Sequence, residues 1–234
     1  MKAQLQKSMI KLLSLADCIS LINAILGFLS IIMVCIGEIR IAFSLILLAI
    51  LADGLDGIIA RKIRGSKIGE YVDSIADMIS FGIAPSIFIY FIYYDIVKVD
   101  IYENIILTVT IIIFLITVII RLASFHIIKQ RKVFIGMPSP ACALVIIILS
   151  YFEIPLIYLI LILLFVSFAM ISNIRFPKPD YKIDGIAGIL IILTIIMGKN
   201  FQAVMPLLLL IAISIYVIIG PIYLLINKKI VQNI

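Results

Sequence analysis

Long apolar runs constrain the fold of this chain more than any other feature of its sequence. A helix that crosses a bilayer needs about 20 mostly apolar residues. Eight runs reach or approach that length: 16–36, 41–61, 71–93, 104–124, 138–152, 154–172, 185–198 and 203–226. Within lipid, a helix also satisfies its backbone hydrogen bonds internally. The sequence therefore predicts an all-α, polytopic membrane helical bundle with about eight transmembrane helices. Because two runs are short, six or seven spans stay open as alternatives.

The composition agrees with a membrane protein. Apolar residues make up 65% of the 234 residues and charged residues only 14%, whereas a soluble domain has about half and about a quarter. The three cysteines lie within apolar runs, at no spacing typical of metal or redox sites. No small-residue cleavage site follows the first run, so we expect no signal peptide. These observations favour a single membrane domain over residues 1–234.

Basic residues divide unequally between the two ends of the predicted helices. With eight spans, both termini share one side, and sixteen of the 19 lysines and arginines fall there. The positive-inside rule makes that side cytoplasmic, so we expect both the N- and the C-terminus in the cytoplasm. The net charge of +6 then reflects topology and contact with anionic membrane lipids. We therefore predict an integral, multi-pass protein of the cell membrane with no nucleic-acid partner.

The chain divides into three predicted regions. Residues 1–15 place Leu5, Met9 and Leu12 on one helical face, which predicts an interfacial helix on the membrane surface. A short frayed tail is an equally good interpretation of that segment. We expect a core of six helices at 16–172 and additional C-terminal helices at 173–234.

Four aspartates lie at the cytoplasmic ends of the second and third predicted helices: Asp53, Asp56, Asp73 and Asp77. The members of each pair are three or four residues apart, so each pair shares one helical face. Carboxylates at membrane depth are costly, and like charges that close together cannot all stay ionised without cations. Hard oxygen ligands suit Mg²⁺, Mn²⁺ or Ca²⁺, and two such ions could hold a pyrophosphate.

Small and basic residues accompany the aspartates. Gly57 and Ala60 would let a bulky ligand approach the backbone of the second helix, and Arg61 adds a fixed positive charge for phosphate. The alternative interpretation is a network of salt bridges between the aspartates and Arg61, Arg64 or Lys67. We favour the metal site, because one salt bridge would explain one aspartate and not four at helical spacings.

The run from Asp53 to Asp77 resembles the signature of the CDP-alcohol phosphotransferase family, which is Asp-x2-Asp-Gly-x2-Ala-Arg, a spacer, and Gly-x3-Asp-x3-Asp. Every fixed position of that signature is filled. Residues 73–85, 121–126 and 136–143 are similar to runs in the membrane-integral phosphatidylserine synthase branch of the family. Ser124 and His126 depart from the arginine and asparagine that are usual there.

The resemblance implies an enzyme that transfers a phosphatidyl-type group from a CDP-linked lipid to an alcohol and releases CMP. Asp53, Asp56 and Asp73 would bind Mg²⁺ or Mn²⁺, and Asp77 would be the general base and a further metal ligand. The residues implied to bind CDP are Asn23, Asp56, Gly57, Ala60, Arg61 and Gly69. The implied donor is CDP-diacylglycerol or CDP-archaeol, the active site would face the cytoplasm, and members of the family form homodimers.

An L-serine acceptor would need a cation for its carboxylate. Arg121 is the best candidate, because it lies at the cytoplasmic end of the fourth predicted helix, level with the aspartates. Lys129, Arg131 and Lys132 are weaker candidates, since a basic loop is also expected from the positive-inside rule. Ser139 is either a further acceptor contact or a residue that caps the fifth helix.

Two alternative functions stay open. An enzyme of the same family could use glycerol 3-phosphate or inositol phosphate, although a phosphorylated acceptor should need a denser basic pocket. A divalent-cation transporter would place acidic residues nearer the middle of the bilayer and on several helices. The four aspartates instead lie at one end of two adjacent predicted helices, which favours the enzyme.

Overall fold

The computed structural model describes residues 9–62, 66, 68–128, 133–198 and 203–226, and the protein is mostly helical, at 84%. A 3₁₀ turn, Met9–Leu12, precedes the first α-helix. The α-helices of the described chain are α1 (Leu15–Cys35), α2 (Ile39–Lys62), α3 (Gly69–Asp77), α4 (Ala84–Ile92), α5 (Tyr94–Val97), α6 (Ile101–Ile128), α7 (Ser139–Tyr151), α8 (Leu156–Ile171), α9 (Tyr181–Met197) and α10 (Val204–Ile226).

Four described helices are long and apolar enough to cross a membrane: Leu15–Cys35, Gly69–Ile92, Ile101–Phe125 and Val204–Ile226. The second of these joins α3 and α4 through a π-helix, Met78–Ile83. Shorter apolar helices lie at Ser139–Tyr151, Leu156–Ile171 and Ile183–Met197, and α2 carries Arg40 and two aspartates in its 24 residues. A helix therefore lies at each of the eight apolar runs, and the number that crosses the bilayer stays a prediction.

The first helix buries its small and polar side. Ser14 and Asp17 form a capping box at its start, in which the Ser14 backbone N–H donates to Asp17 Oδ2 at 2.7 Å. The buried face then consists of Ala16, Asp17, Ser20, Asn23, Gly27, Ser30 and Val34. Large apolar side chains are exposed on the other side, among them Leu21, Ile22, Ile25, Phe28 and Ile32. A helix of this kind suits a membrane: its large apolar side chains can face lipid, and the small residues of its buried face let neighbouring helices pack closely.

A short two-stranded sheet interrupts the helical fold, and no part of the sequence predicted it. Strand β1 (Val133–Ile135) pairs antiparallel with β2 (Arg175–Pro177), so that the α6–α7 and α8–α9 connections are joined. Two side chains hold the sheet against the helices: Arg121 Nη1 donates to the Ile135 carbonyl at 3.1 Å, and Tyr216 Oη donates to the Pro177 carbonyl at 3.1 Å.

Aromatic side chains pack against α2 at the end opposite the aspartates. Phe43 of α2 stacks on Tyr151 of α7, with ring centroids 4.1 Å apart, and packs more loosely against Phe88 of α4. The Tyr93 hydroxyl donates to the Ile154 carbonyl at 2.6 Å. This packing fixes α2 against α4 and α7.

Gly136 gives a test of the junction between the sheet and the helices. Its φ is +73°, and a Cβ at this position would lie 2.1 Å from the Met170 carbonyl oxygen. We expect Gly136→Ala to cost at least about 2 kcal/mol, because it combines backbone strain with a steric clash. In detergent, the thermal unfolding midpoint should fall by about 4 °C or more.

Gly185→Ala in α9 is the matched control, because no atom lies within 4 Å of the added Cβ. Alanine favours a helix over glycine, so this variant should unfold at the wild-type temperature or slightly above it. Equal midpoints for the two variants would contradict the proposed strain at Gly136.

Candidate active site

The carboxylates of α2 and α3 converge at one place. Asp53, Asp56 and Asp73 each offer an oxygen atom, and these three atoms lie within 4.8 Å of one another. Asp77 is close enough to interact electrostatically with all three. The structure thus brings the four aspartates together from two neighbouring helices.

Burial makes this cluster electrostatically unusual. The exposed fraction is 6% for Asp56 and 7% for Asp77, and Asp53 and Asp73 are half-buried. Four carboxylates in such surroundings repel one another strongly unless protons or cations neutralise them. Because all of the donors are hard oxygen atoms, the residues fit Mg²⁺, Mn²⁺ or Ca²⁺.

Two side chains of α1 reach the cluster. Ser20 Oγ donates to Asp56 Oδ2 at 2.7 Å, and Asn23 Nδ2 donates to Asp77 Oδ1 at 3.1 Å. Asn23 is predicted from the sequence as a CDP contact, whereas Ser20 is a site residue that the sequence did not predict. The available signal was the spacing of Ser20, Asn23, Gly27 and Ser30, which places them on one face of an otherwise apolar helix.

The residues expected to bind CDP lie around the same helices. Gly69 begins α3, and a Cβ there would lie 2.7 Å from Asp17 Oδ1. Gly69 therefore leaves room for the Asp17 carboxylate, and its contact with CDP stays a prediction. Gly57, Ala60 and Arg61 lie in the last turns of α2, and the part of the chain that the structure describes does not include their side chains.

Arg121, the residue predicted to bind the acceptor carboxylate, lies near Asp77 of the cluster. It is 8% exposed, it interacts electrostatically with Asp77, and its Nε has no hydrogen-bond partner among the described residues. A cavity of about 100 Å³ lies beside it. The lining includes Arg121, Ser124, Phe134, Ser172 and Asn173. A buried guanidinium beside a small cavity can bind a carboxylate.

For the other residues predicted to bind the acceptor, the structure gives no contact with this cavity. Lys129, Arg131 and Lys132 lie outside the described residues. Ser139 is the first residue of α7 and is buried, whereas Pro138 is the N-cap residue and no side chain caps the helix. The capping interpretation of Ser139 is therefore wrong. Ser139 is also not among the described residues that line the cavity beside Arg121, so its contact with the acceptor stays a prediction.

The crowding of carboxylates predicts an unusual effect on stability. In the presence of a chelator, Asp53→Asn should stabilise the protein by about 1 kcal/mol, because it removes one of the mutually repelling charges. The thermal unfolding midpoint should rise by about 2 to 4 °C. Addition of Mn²⁺ should then raise the midpoint of the wild type more than that of the variant.

Asp95→Asn provides the control, because Asp95 is an exposed residue that pairs with Lys98 outside the cluster. Its midpoint should change little under either condition. A lower midpoint for Asp53→Asn than for the wild type in chelator would contradict the repulsion.

Comparison with known proteins agrees with this site. The sequence profile described as CDP-alcohol phosphatidyltransferase matches residues 13–219. The CDP-diacylglycerol–serine O-phosphatidyltransferase of Methanocaldococcus jannaschii is 34% identical over 176 residues, which are 74% of this chain and 78% of that one. The archaetidylserine synthase of Methanothermobacter thermautotrophicus is 36% identical over 74% of each chain.

A bacterial relative extends the match along the chain. The CDP-diacylglycerol–serine O-phosphatidyltransferase of Helicobacter pylori is 29% identical over 225 residues, which are 89% of this chain and 90% of that one. The profile match alone covers well over half of the chain. The protein therefore belongs to the CDP-alcohol phosphatidyltransferase family.

Proposed function

We propose that this protein transfers a phosphatidyl or archaetidyl group from a CDP-linked lipid to the hydroxyl of L-serine and releases CMP. The convergence of Asp53, Asp56, Asp73 and Asp77 is the observation that carries this proposal. The names of the two archaeal relatives support serine as the acceptor. They also support two donors, CDP-diacylglycerol and CDP-archaeol.

Asp53, Asp56 and Asp73 are the proposed ligands of Mg²⁺ or Mn²⁺, with Asp77 beside them. Two bound divalent cations would supply the positive charge that holds the pyrophosphate of the donor and stabilises CMP as it leaves. Around this centre, the proposed CDP contacts are Asn23, Asp56, Gly57, Ala60, Arg61 and Gly69. Arg61 contributes a fixed positive charge, and the small residues leave space beside the backbone.

Asp77 is the proposed general base. Its carboxylate takes the proton of the serine hydroxyl while that oxygen attacks the phosphorus that bears the lipid. The bond between this phosphorus and the oxygen of CMP breaks, and CMP leaves with the bonding electrons. The position of Asp77 within the acidic cluster supports this role, because the attacking hydroxyl has to approach the same phosphate that the cluster holds.

The cavity beside Arg121 is the proposed acceptor site. One buried guanidinium with neutral Ser124, Ser172 and Asn173 suits a single carboxylate. A phosphorylated acceptor, such as glycerol 3-phosphate or inositol phosphate, would favour more than one cation. Lys129, Arg131 and Ser139 are further proposed contacts of the acceptor.

We further propose that eight helices span the cell membrane, with both termini and the active site on the cytoplasmic side. Sixteen of the 19 basic residues fall on that side in this topology. Residues 16–172 form the catalytic core of six helices in this scheme, followed by additional helices at 173–234. An interfacial helix at 1–15, or a short frayed tail, would precede the core, and residues 1–8 of that segment lie outside the described residues. The protein would act as a homodimer.

A CMP-release assay tests the proposed function. Purified protein in detergent with Mn²⁺ and CDP-diacylglycerol or CDP-archaeol should release CMP when L-serine is added. Asp77→Asn should lower kcat by at least about 100-fold, because general base catalysis typically contributes that much. Glycerol 3-phosphate and inositol phosphate, assayed in parallel, should give no release.

The conditions under which CMP is released show which part of the proposed function, if any, is wrong. Release with a phosphorylated acceptor and not with serine would contradict serine as the acceptor and keep the family chemistry. Release by Asp77→Asn at the wild-type rate would contradict the base. Mn²⁺ flux into vesicles without any CDP-lipid would instead favour a transporter.

The acceptor site has a separate test. Arg121→Gln should raise the KM for serine by about 10- to 100-fold, because it removes a hydrogen bond between two charged groups. The KM for the CDP-lipid should change much less. Arg175→Gln is the matched control, since Arg175 is an exposed arginine on the neighbouring strand. Equal increases in both KM values would contradict the assignment of Arg121 to serine.

A further inference from the structure

The buried face of α1 is connected directly to the acidic cluster. Ser20 is 4% exposed and donates to Asp56 at 2.7 Å. Asn23 is fully buried, at 0% exposure, and donates to Asp77 at 3.1 Å. A third helix therefore contacts one carboxylate on each of the two helices that carry the cluster.

The Ser20 hydroxyl donates its hydrogen bond to Asp56. Its Oγ lies 2.7 Å from Asp56 Oδ2 and 3.4 Å from the Ala16 carbonyl oxygen. A hydroxyl has one proton to donate, and the shorter bond to a carboxylate is the stronger of the two. This bond holds Asp56 in one orientation. Hydrogen bonds of this kind orient metal ligands and tune the affinity for the metal.

The Asn23 amide is held in one orientation by Asp77. The amide nitrogen faces Asp77, because it donates to Asp77 Oδ1 at 3.1 Å, and the amide oxygen Oδ1 therefore faces away. That Oδ1 is buried and accepts no hydrogen bond from the described residues. A side chain present only for packing would be better replaced by an apolar one of similar size. The cost of the buried acceptor therefore indicates that the contact with Asp77 has a function.

Close packing fixes α1 relative to both partner helices. A Cβ on Gly27 would lie 2.7 Å from Ser80 Cα, so α1 touches the backbone of the π-helix that directly follows Asp77. Ser30 Oγ donates to the Ala42 carbonyl of α2 at 3.0 Å. A short shift of α1 would thus break contacts with α2 and with the π-helix at the same time.

We propose that α1 is the positioning element of the metal centre: Ser20 orients Asp56 toward the metal, and Asn23 orients Asp77 toward the reacting hydroxyl. This inference rests on the proposed function, because it assumes that the cluster binds metal. Ser20 acts through Asp56, and Asn23 acts through Asp77 in addition to its proposed contact with CDP, so both are positioning residues.

Mn²⁺ binding without substrates tests the role of Ser20. Electron paramagnetic resonance of free Mn²⁺ gives the affinity of the purified protein in detergent. Ser20→Ala should bind Mn²⁺ about tenfold more weakly than the wild type, which is the lower end of the effect of such hydrogen bonds. Ser20→Thr, which keeps the hydroxyl, should bind within about twofold of the wild type.

Ser30→Ala is the matched control, because it removes an equally buried hydroxyl from the same face of α1. It should leave the Mn²⁺ affinity unchanged. Equal affinities for Ser20→Ala and the wild type, or equal losses in Ser20→Ala and Ser30→Ala, would overturn the role of Ser20. A wild-type protein that binds no Mn²⁺ would overturn the metal site, and the proposed function with it.

Asn23→Leu tests whether Asn23 orients Asp77, because leucine has a similar size and no polar side-chain atom. The thermal unfolding midpoint should stay the same or rise, since the buried acceptor is removed. At saturating Mn²⁺, serine and CDP-lipid, where weaker donor binding no longer matters, kcat should fall at least about tenfold, because Asp77 loses its fixed orientation. A lower midpoint with unchanged kcat would show a packing role and overturn the proposal for Asn23.

Discussion

Electrostatic repulsion among four clustered carboxylates, two buried and two half-buried, is the constraint on which the rest of this structure depends. Two helices carry them, α2 with Asp53 and Asp56 and α3 with Asp73 and Asp77, and three of their oxygen atoms lie within 4.8 Å of one another. Such an arrangement is costly for folding, so the surrounding helices have to hold it in place. The same concentration of negative charge makes the site suitable for divalent cations and, through them, for the phosphates of a CDP-linked lipid.

The neighbouring elements divide this task. In the first helix, Ser20 and Asn23 donate hydrogen bonds to Asp56 and Asp77. Gly27 of the same helix packs against the π-helix. Aromatic packing at the other end of α2 fixes that helix against α4 and α7. The two-stranded sheet holds Arg121 through the Ile135 carbonyl. In the proposed function, different parts of the fold would therefore position the donor and the acceptor.

Much of this architecture could be predicted from the sequence, because it depends on local periodicity. Apolar runs locate the helices, and the spacing of the aspartates places each pair on one helical face. The sheet was not predictable in this way, since its strands are short and pair across about forty residues of chain. The role of Ser20 was missed for the same reason: its partner, Asp56, is distant in sequence. A cap at Ser139 was one of two interpretations, because a serine beside prolines has the composition of a helix start, and the structure excludes it.

Anomalous X-ray diffraction from crystals grown with Mn²⁺ and a CDP-linked lipid tests the central claim most directly. The proposed metal centre predicts two manganese peaks, about 3.5 to 4 Å apart as in other two-metal sites, between the carboxylates of Asp53, Asp56, Asp73 and Asp77. The pyrophosphate of the donor should contact both ions. A map with no manganese at these carboxylates, or with the pyrophosphate bound elsewhere, would contradict the proposed centre.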